Sequence, residues 1–192
     1  RTKAAALGVE EQSILRQKQV IGSLAWERAR AAGGFTDLQD FVDRFPQALE
    51  FDRAVLARDS AAFAGVRSSD SAAAYRRFLE MYPEAVQRPE ATVRWQEALY
   101  REAVADGTVA AYEAFIRTHP ESPHLVDAQE ELFRRSTRGG TALELRNYIK
   151  RYPDMPQVEQ AWRNIYRLRT ADMSAAALER FLEEYPDYPY KT

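Results

Sequence analysis

The chain has 192 residues, a formal net charge of −2, 45% hydrophobic and 29% charged residues, and no cysteine. Those values belong to a folded polypeptide and exclude a broadly basic nucleic-acid binder, a disulfide scaffold and a thiolate metal site. The sequence contains no apolar run of about 18 residues, which excludes direct membrane insertion by a helix.

Residues 1–8, RTKAAALG, carry no periodic pattern and are expected to form a loose end. From Val9 to Ala32 apolar Ile14, Val20, Ile21 and Leu24 alternate with Arg, Gln and Glu as in a helix, with Gly22 as a candidate break. Residues 1–21 read as a partly helical N-terminal extension and 22–192 as a repeat array. Ala25-Trp26 opens the first copy, which passes through Gly33-Gly34 and continues from Thr36 as TDLQDFVDRFP to Pro46. Thr36 followed by Gln39 resembles a capping box. The phrase SAAAYRRFLEMYP at 71–83 then states the pattern most clearly. Its copies end at Pro46, Pro83, Pro120, Pro153 and Pro186, at spacings of 37, 37, 33 and 33 residues, the period of helical repeat arrays.

Aligned on these prolines, the copies share columns. Eight residues before each Pro stand Leu38, Tyr75, Tyr112, Leu145 and Leu178; five before stand Phe41, Phe78, Phe115, Tyr148 and Phe181. Four before are Val42, Leu79, Ile116, Ile149 and Leu182, and one before are Phe45, Tyr82, His119, Tyr152 and Tyr185. This i, i+3, i+4, i+7 spacing puts four slots on one stripe of a helix, here helix B. Ser71, Thr108, Thr141 and Ser174, twelve before Pro in the last four copies, suit its N-cap. The proline ends it, because the residue before a proline is driven out of the α region.

A helix A precedes each B. Twenty residues before Pro is an aromatic, Trp26, Phe63, Tyr100, Phe133 or Tyr166, and eight after the first four prolines is Ala54, Ala91, Ala128 or Ala161. Gly33, Gly107 and Gly140 suit left-handed turns between A and B. The segment from aromatic to Pro never changes length, so the four extra residues of the longer units, about one helical turn, belong to helix A. Pro89, Pro123 and Pro156 stand near its start.

A 33–37 residue helix–turn–helix unit with a late Phe and a closing Pro resembles the tetratricopeptide repeat. The endings YRRFLEMYP, LRNYIKRYP and LERFLEEYP are similar to a divergent Tyr-Pro form found in bacterial cell-envelope proteins of outer-membrane assembly and Tol–Pal coordination. The likeness covers about residues 22–190, without the W-x2-L-G-x2-Y signature in helix A. It implies an all-α solenoid, a right-handed superhelix of about five antiparallel helix pairs, with a concave groove for a protein or peptide and no catalysis. It further implies a periplasmic or outer-membrane-associated protein, a cytoplasmic one being the alternative. The chain opens on Arg1 and stops at Thr192 within a repeat, which reads as a piece of something longer whose signal can lie upstream.

No residue pattern carries chemistry of its own. His119 occupies an aromatic column and His124 lies across two prolines from it, so packing or turn roles are expected; paired carboxylates such as Glu130-Glu131 point apart on a helix. No catalytic residue, cofactor or metal is expected. Arg101, Arg134 and Arg167 form a column nineteen before Pro, with Arg94, Arg135, Arg138 and Arg163 on the same class of helix. In a groove lined by helix A, Arg94, Arg101, Arg134, Arg138, Arg163 and Arg167 would meet an acidic partner peptide or its C-terminal carboxylate. The alternative is that they favour the helix dipole and solubility. Further alternatives are a spacer or oligomerisation array, self-associating through the terminal repeat where Tyr185, Tyr188 and Tyr190 would edge a stacking face, and a regulatory segment of an enzyme whose catalytic domain lies elsewhere. For the scaffold, Phe115→Ala is expected to cost about 3–5 kcal/mol in chemical denaturation, as for other buried large aromatics. A loss below about 1 kcal/mol would remove the stripe from the core.

Overall fold

The computed structural model describes residues 2–190, with side chains described from Glu10 onward. The described residues are all helical in their regular structure: α1 (Thr2–Ala32), α2 (Phe35–Arg44), α3 (Phe51–Ser69), α4 (Ala72–Met81), α5 (Arg88–Ala103), α6 (Val109–Thr118), α7 (Leu125–Ser136), α8 (Ala142–Arg151), α9 (Val158–Arg169) and α10 (Ala175–Glu184). None of them is long and apolar enough to cross a membrane. The chain divides into two compact units, residues 1–99 and 100–192.

In the first unit α1 packs on α2, α2 on α3 and α3 on α4. Its cores gather Trp26, Leu38, Phe41 and Ala54, and then Phe63, Tyr75, Phe78, Ala91 and Ala98. In the second unit α6 through α10 pack consecutively, around Phe115, Leu132, Tyr148, Trp162, Ile165 and Phe181. The even-numbered helices are the B helices. Each has ten residues, and in each the ring five before Pro stacks on or tilts against the ring one before it: Phe41 and Phe45, Phe78 and Tyr82, Phe115 and His119, Tyr148 and Tyr152, Phe181 and Tyr185, with centroids 4.9–5.3 Å apart. The aromatic of helix A reaches the same ring from the other side, as in Phe63–Phe78 at 5.2 Å, Tyr100–Phe115 at 5.1 Å and Phe133–Tyr148 at 4.9 Å. Every copy within a unit thus closes on three aromatic rings, an arrangement that adds about 0.5–1.5 kcal/mol per pair to the burial itself.

The helix ends are equally regular. Ser71, Thr108, Thr141 and Ser174 accept hydrogen bonds from the amides of Ala74, Ala111, Glu144 and Ala177. Thirteen residues before each Pro the backbone turns left-handed: Gly33, Gly107 and Gly140 do so at φ of 64–68°, and Asp70 and Met173 take the same place at 43° and 53°. After each of the first four prolines the next helix A begins at the fifth residue, Phe51, Arg88, Leu125 or Val158. Ala54, Ala91, Ala128 and Ala161 are fully buried. The longer units carry their extra turn in helix A, since α3 and α5 have 19 and 16 residues against 12 in α7 and α9.

Four expectations are corrected. Residues 2–8 are helical and not a loose end. Gly22 does not break α1; it is buried, and a Cβ there would stand 3.3 Å from that of Ala48, so its smallness serves close packing. Thr36 and Gln39 form no capping box, because α2 starts one residue earlier from Gly34 without a side-chain cap, and Gln39 donates to Asp43; the capping box is at Thr141 and Glu144. Tyr185 is buried, and Tyr188 packs on Trp162, Tyr166 and Phe181, so these two tyrosines close the last core, while Tyr190 stays 47% exposed against Tyr188.

Met173 is 94% exposed at a left-handed position. A side chain there has backbone strain of about 1–2 kcal/mol and no packing to offset it. Met173→Gly is therefore expected to stabilise the fold by about 0.5–1 kcal/mol after the added flexibility of the unfolded chain is counted. Urea denaturation followed by circular dichroism measures this, and a destabilised variant would contradict it.

Candidate functional site

A groove within the second unit has a volume of about 1030 Å³. The start of α6 supplies Gly107 and Val109; the end of α7 supplies Glu130, Phe133, Arg134 and Arg135, followed by Thr137 and Arg138; and α9 contributes Gln157 and Gln160 at its start. Gln160 also lines a second depression of about 460 Å³ with Glu159, Arg163, Asn164 and Arg167. Two of the expected arginines therefore meet in one groove and two more in its neighbour. Arg101 lines neither, and Arg94 belongs to the first unit.

The guanidinium groups are held to different degrees. Arg135 is fixed: it donates to the Gly107 carbonyl and to Glu131 at 3.0 Å, and its guanidinium lies 5.0 Å from the centre of the Tyr112 ring. It ties α7 to the turn before α6, a role that spacing alone did not reveal. Arg134 donates two bonds to Glu131, at 2.9 and 2.6 Å, but stays largely exposed. Both arginines hold the Glu131 carboxyl below its ordinary range, Arg134 contributing most. Arg163 pairs with Glu159, Arg94 with Glu90, and Arg167 donates to Asn164 at 2.7 Å. Arg138, beyond the last turn of α7, makes no ion pair among the described residues.

Beneath the groove Phe133 meets the edge of Tyr148, whose hydroxyl lies 3.5 Å from Gln157 Oε1. Gln157 is buried, which no column in the sequence had marked. Farther along, Tyr152 donates to Glu113, which also receives two bonds from Arg151, so that α8 is clamped to α6. The histidines act in packing: His119 stacks on Phe115 and His124 on Tyr100, 4.9 Å between ring centres.

Only Val109 and Phe133 among the lining residues are apolar, whereas small-molecule sites are mostly apolar. Three guanidinium groups with two side-chain amides and one carboxylate offer an excess of donors. That surface suits acceptor-rich chains such as acidic peptides.

Compared with protein-family models the chain matches none, and no curated protein shows a significant match to its sequence.

Burial pushes Tyr148 up to about 12, and burial followed by the hydrogen bond to Glu113 pushes Tyr152 to about 12 as well. An unfolded tyrosine ionises near 10, so folding favours the protonated phenols. Their contribution is complete below about pH 10 and is lost as pH rises toward and through 12. Ellipticity should hold up to about pH 10 and fall above it, and the Tyr148→Phe/Tyr152→Phe pair should flatten that fall. An unchanged alkaline profile in the pair would contradict the assignment.

Proposed function

We propose that the chain is a tetratricopeptide-like α-solenoid that serves as a non-catalytic interaction scaffold and binds an acidic segment of a partner protein along the groove of its second unit. The observation that carries the reading is the convergence of exposed Arg134 and Arg138 with Gln157 and Gln160, continued by Arg163 and Arg167 across the shared Gln160. The five-fold recurrence of helix length, left-handed turn and ring stacking, with a hydroxyl cap in four of the five copies, supports the repeat reading. The Tyr-Pro endings support a role in a bacterial cell envelope, periplasmic or associated with the outer membrane. A second reading, in which the arginines serve only helix surface and solubility, is favoured by the pairing of Arg94, Arg134 and Arg163 with acids of their own helices.

A matched charge experiment separates the two readings. A fluorescein-labelled peptide rich in Asp and Glu is titrated by anisotropy against the unaltered chain, against Arg134→Glu/Arg138→Glu, and against Arg117→Glu/Arg180→Glu, which changes the charge equally elsewhere in the unit. Groove recognition predicts a loss of roughly tenfold or more confined to the first pair. Equal losses in both pairs, or no binding to the unaltered chain, would leave the second reading standing.

A further inference from the structure

Four residues after each of the first four prolines, the residue just before the next helix A is polar: Glu50, Gln87, His124 or Gln157. In the first unit two of these side chains are latched to the preceding helix A by a serine 27 residues earlier. Ser23 donates to Glu50 at 2.7 Å, and Gln87 donates to Ser60 at 2.9 Å. In the second unit the matching pair is Glu130 and Gln157. Both line the groove, and no hydrogen bond joins them among the described residues. The latch is therefore missing where the groove lies.

Gln157 is only 9% exposed, and its single side-chain hydrogen bond is the one its Oε1 accepts from the Tyr148 hydroxyl at 3.5 Å. Its Nε2, with two donors, has no acceptor among the described residues. A largely buried donor left unmatched weakens the free protein and gains from an acceptor that arrives. α9 opens at the same residue without a side-chain cap, so the first turn of this 12-residue helix adds amide donors and the positive end of its dipole. Of the nearby acids, Glu131 is held by Arg134 and Arg135, and Glu159 by Arg163. Glu130 is the one carboxylate among the lining residues, set against exposed Arg134 and Arg138.

We infer that Gln157 is the specificity-determining residue of the groove: its unlatched carboxamide and the uncapped start of α9 together hold a carboxylate of the bound segment. The assignment rests on the proposal that the groove takes an acidic segment, and it names the donor that fixes where an acid must sit. Exposed arginines attract any negative charge along the groove, whereas a buried amide donor is satisfied only by an acceptor at one place.

Rebuilding the latch tests this. In the full chain, Glu130→Ser supplies the hydroxyl that engages Gln87 in the first unit, while Glu130→Ala removes the same charge and supplies none. Both are titrated by anisotropy with the fluorescein-labelled peptide rich in Asp and Glu. Charge alone predicts equal affinities, each tighter than that of the unaltered chain. Capture of Gln157 by the new hydroxyl predicts that Glu130→Ser binds roughly fivefold more weakly than Glu130→Ala. Gln157→Met, which keeps the length and loses the donors, should also bind roughly fivefold more weakly than the unaltered chain. Circular dichroism checks its folding; if its helical signal is lost, the two Glu130 variants, altered only at an exposed residue, decide alone. Equal affinities in the Glu130 variants, or undiminished affinity in a folded Gln157→Met, overturn the inference. A loss confined to Arg134→Glu/Arg138→Glu would then leave the groove as an acidic-segment site without this anchor, and no binding to the unaltered chain overturns both.

Discussion

A left-handed backbone residue and a proline, always thirteen positions apart, bracket every even-numbered helix. The left-handed residue reverses the chain after helix A, and the hydroxyl or glycine next to it starts helix B. The proline then prevents an eleventh helical residue. With both ends pinned, the rings one and five before the proline can occupy only one arrangement, and the aromatic of helix A meets the second of them. Variation in unit length is consequently expelled to the one place without such pins, the first half of helix A. There an added turn advances the helix by about 5.4 Å and returns its faces nearly to the same direction.

The parts of the fold that were legible in the sequence are those that a repeat imposes. A residue that must point inward in every copy shows itself as a column, and so do caps, left-handed glycines and terminal prolines. Single adjustments leave no column. Gly22 sits within a helix because Ala48 approaches it, and its sequence neighbourhood resembles that of a helix break equally well. Thr36 and Gln39 have the spacing of a capping box, yet the first copy follows the common frame, in which Gly34 occupies the cap position. Asp70 and Met173 hide the left-handed turn because neither is glycine; alignment on the prolines shows both in the glycine column. In the groove, the arginines were legible as a charge pattern. Gln157 and the anchoring of Arg135 at Gly107 were not, since both depend on contacts between helices of different copies.

Pairing of the arginines with acids on their own helices does not by itself close the groove. Exposed i,i+3 and i,i+4 ion pairs contribute only about 0.3–0.5 kcal/mol each, because water already solvates both partners. A partner carboxylate that displaces Glu131 from Arg134 gives up little, provided that it gains a second contact nearby. The intrahelical acids then act as placeholders that keep the guanidinium groups extended along the helix. Arg135 differs: its carbonyl, carboxylate and aromatic contacts act together, so its displacement would cost the joint between α7 and the preceding turn. Adjacent residues of the same helix are thus held differently, Arg135 between helices and Arg134 only by an acid of its own helix.

Arg138 stands where the copies disagree. Fifteen residues before the other prolines stand Ala31, Ser68, Ala105 and Ala171, all small. The position lies at the mouth of the turn between helices, and its requirement in the other copies is met without a long side chain. A guanidinium there cannot be explained by the frame that the repeat maintains, because four copies maintain it without one. Nor is it recruited into an ion pair among the described residues. Position thirteen, two residues later, is under the opposite constraint: it must turn left-handed in every copy, and glycine occupies it in three. Within this one loop the backbone residue is fixed by folding and the side chain of Arg138 is left available to the groove it borders.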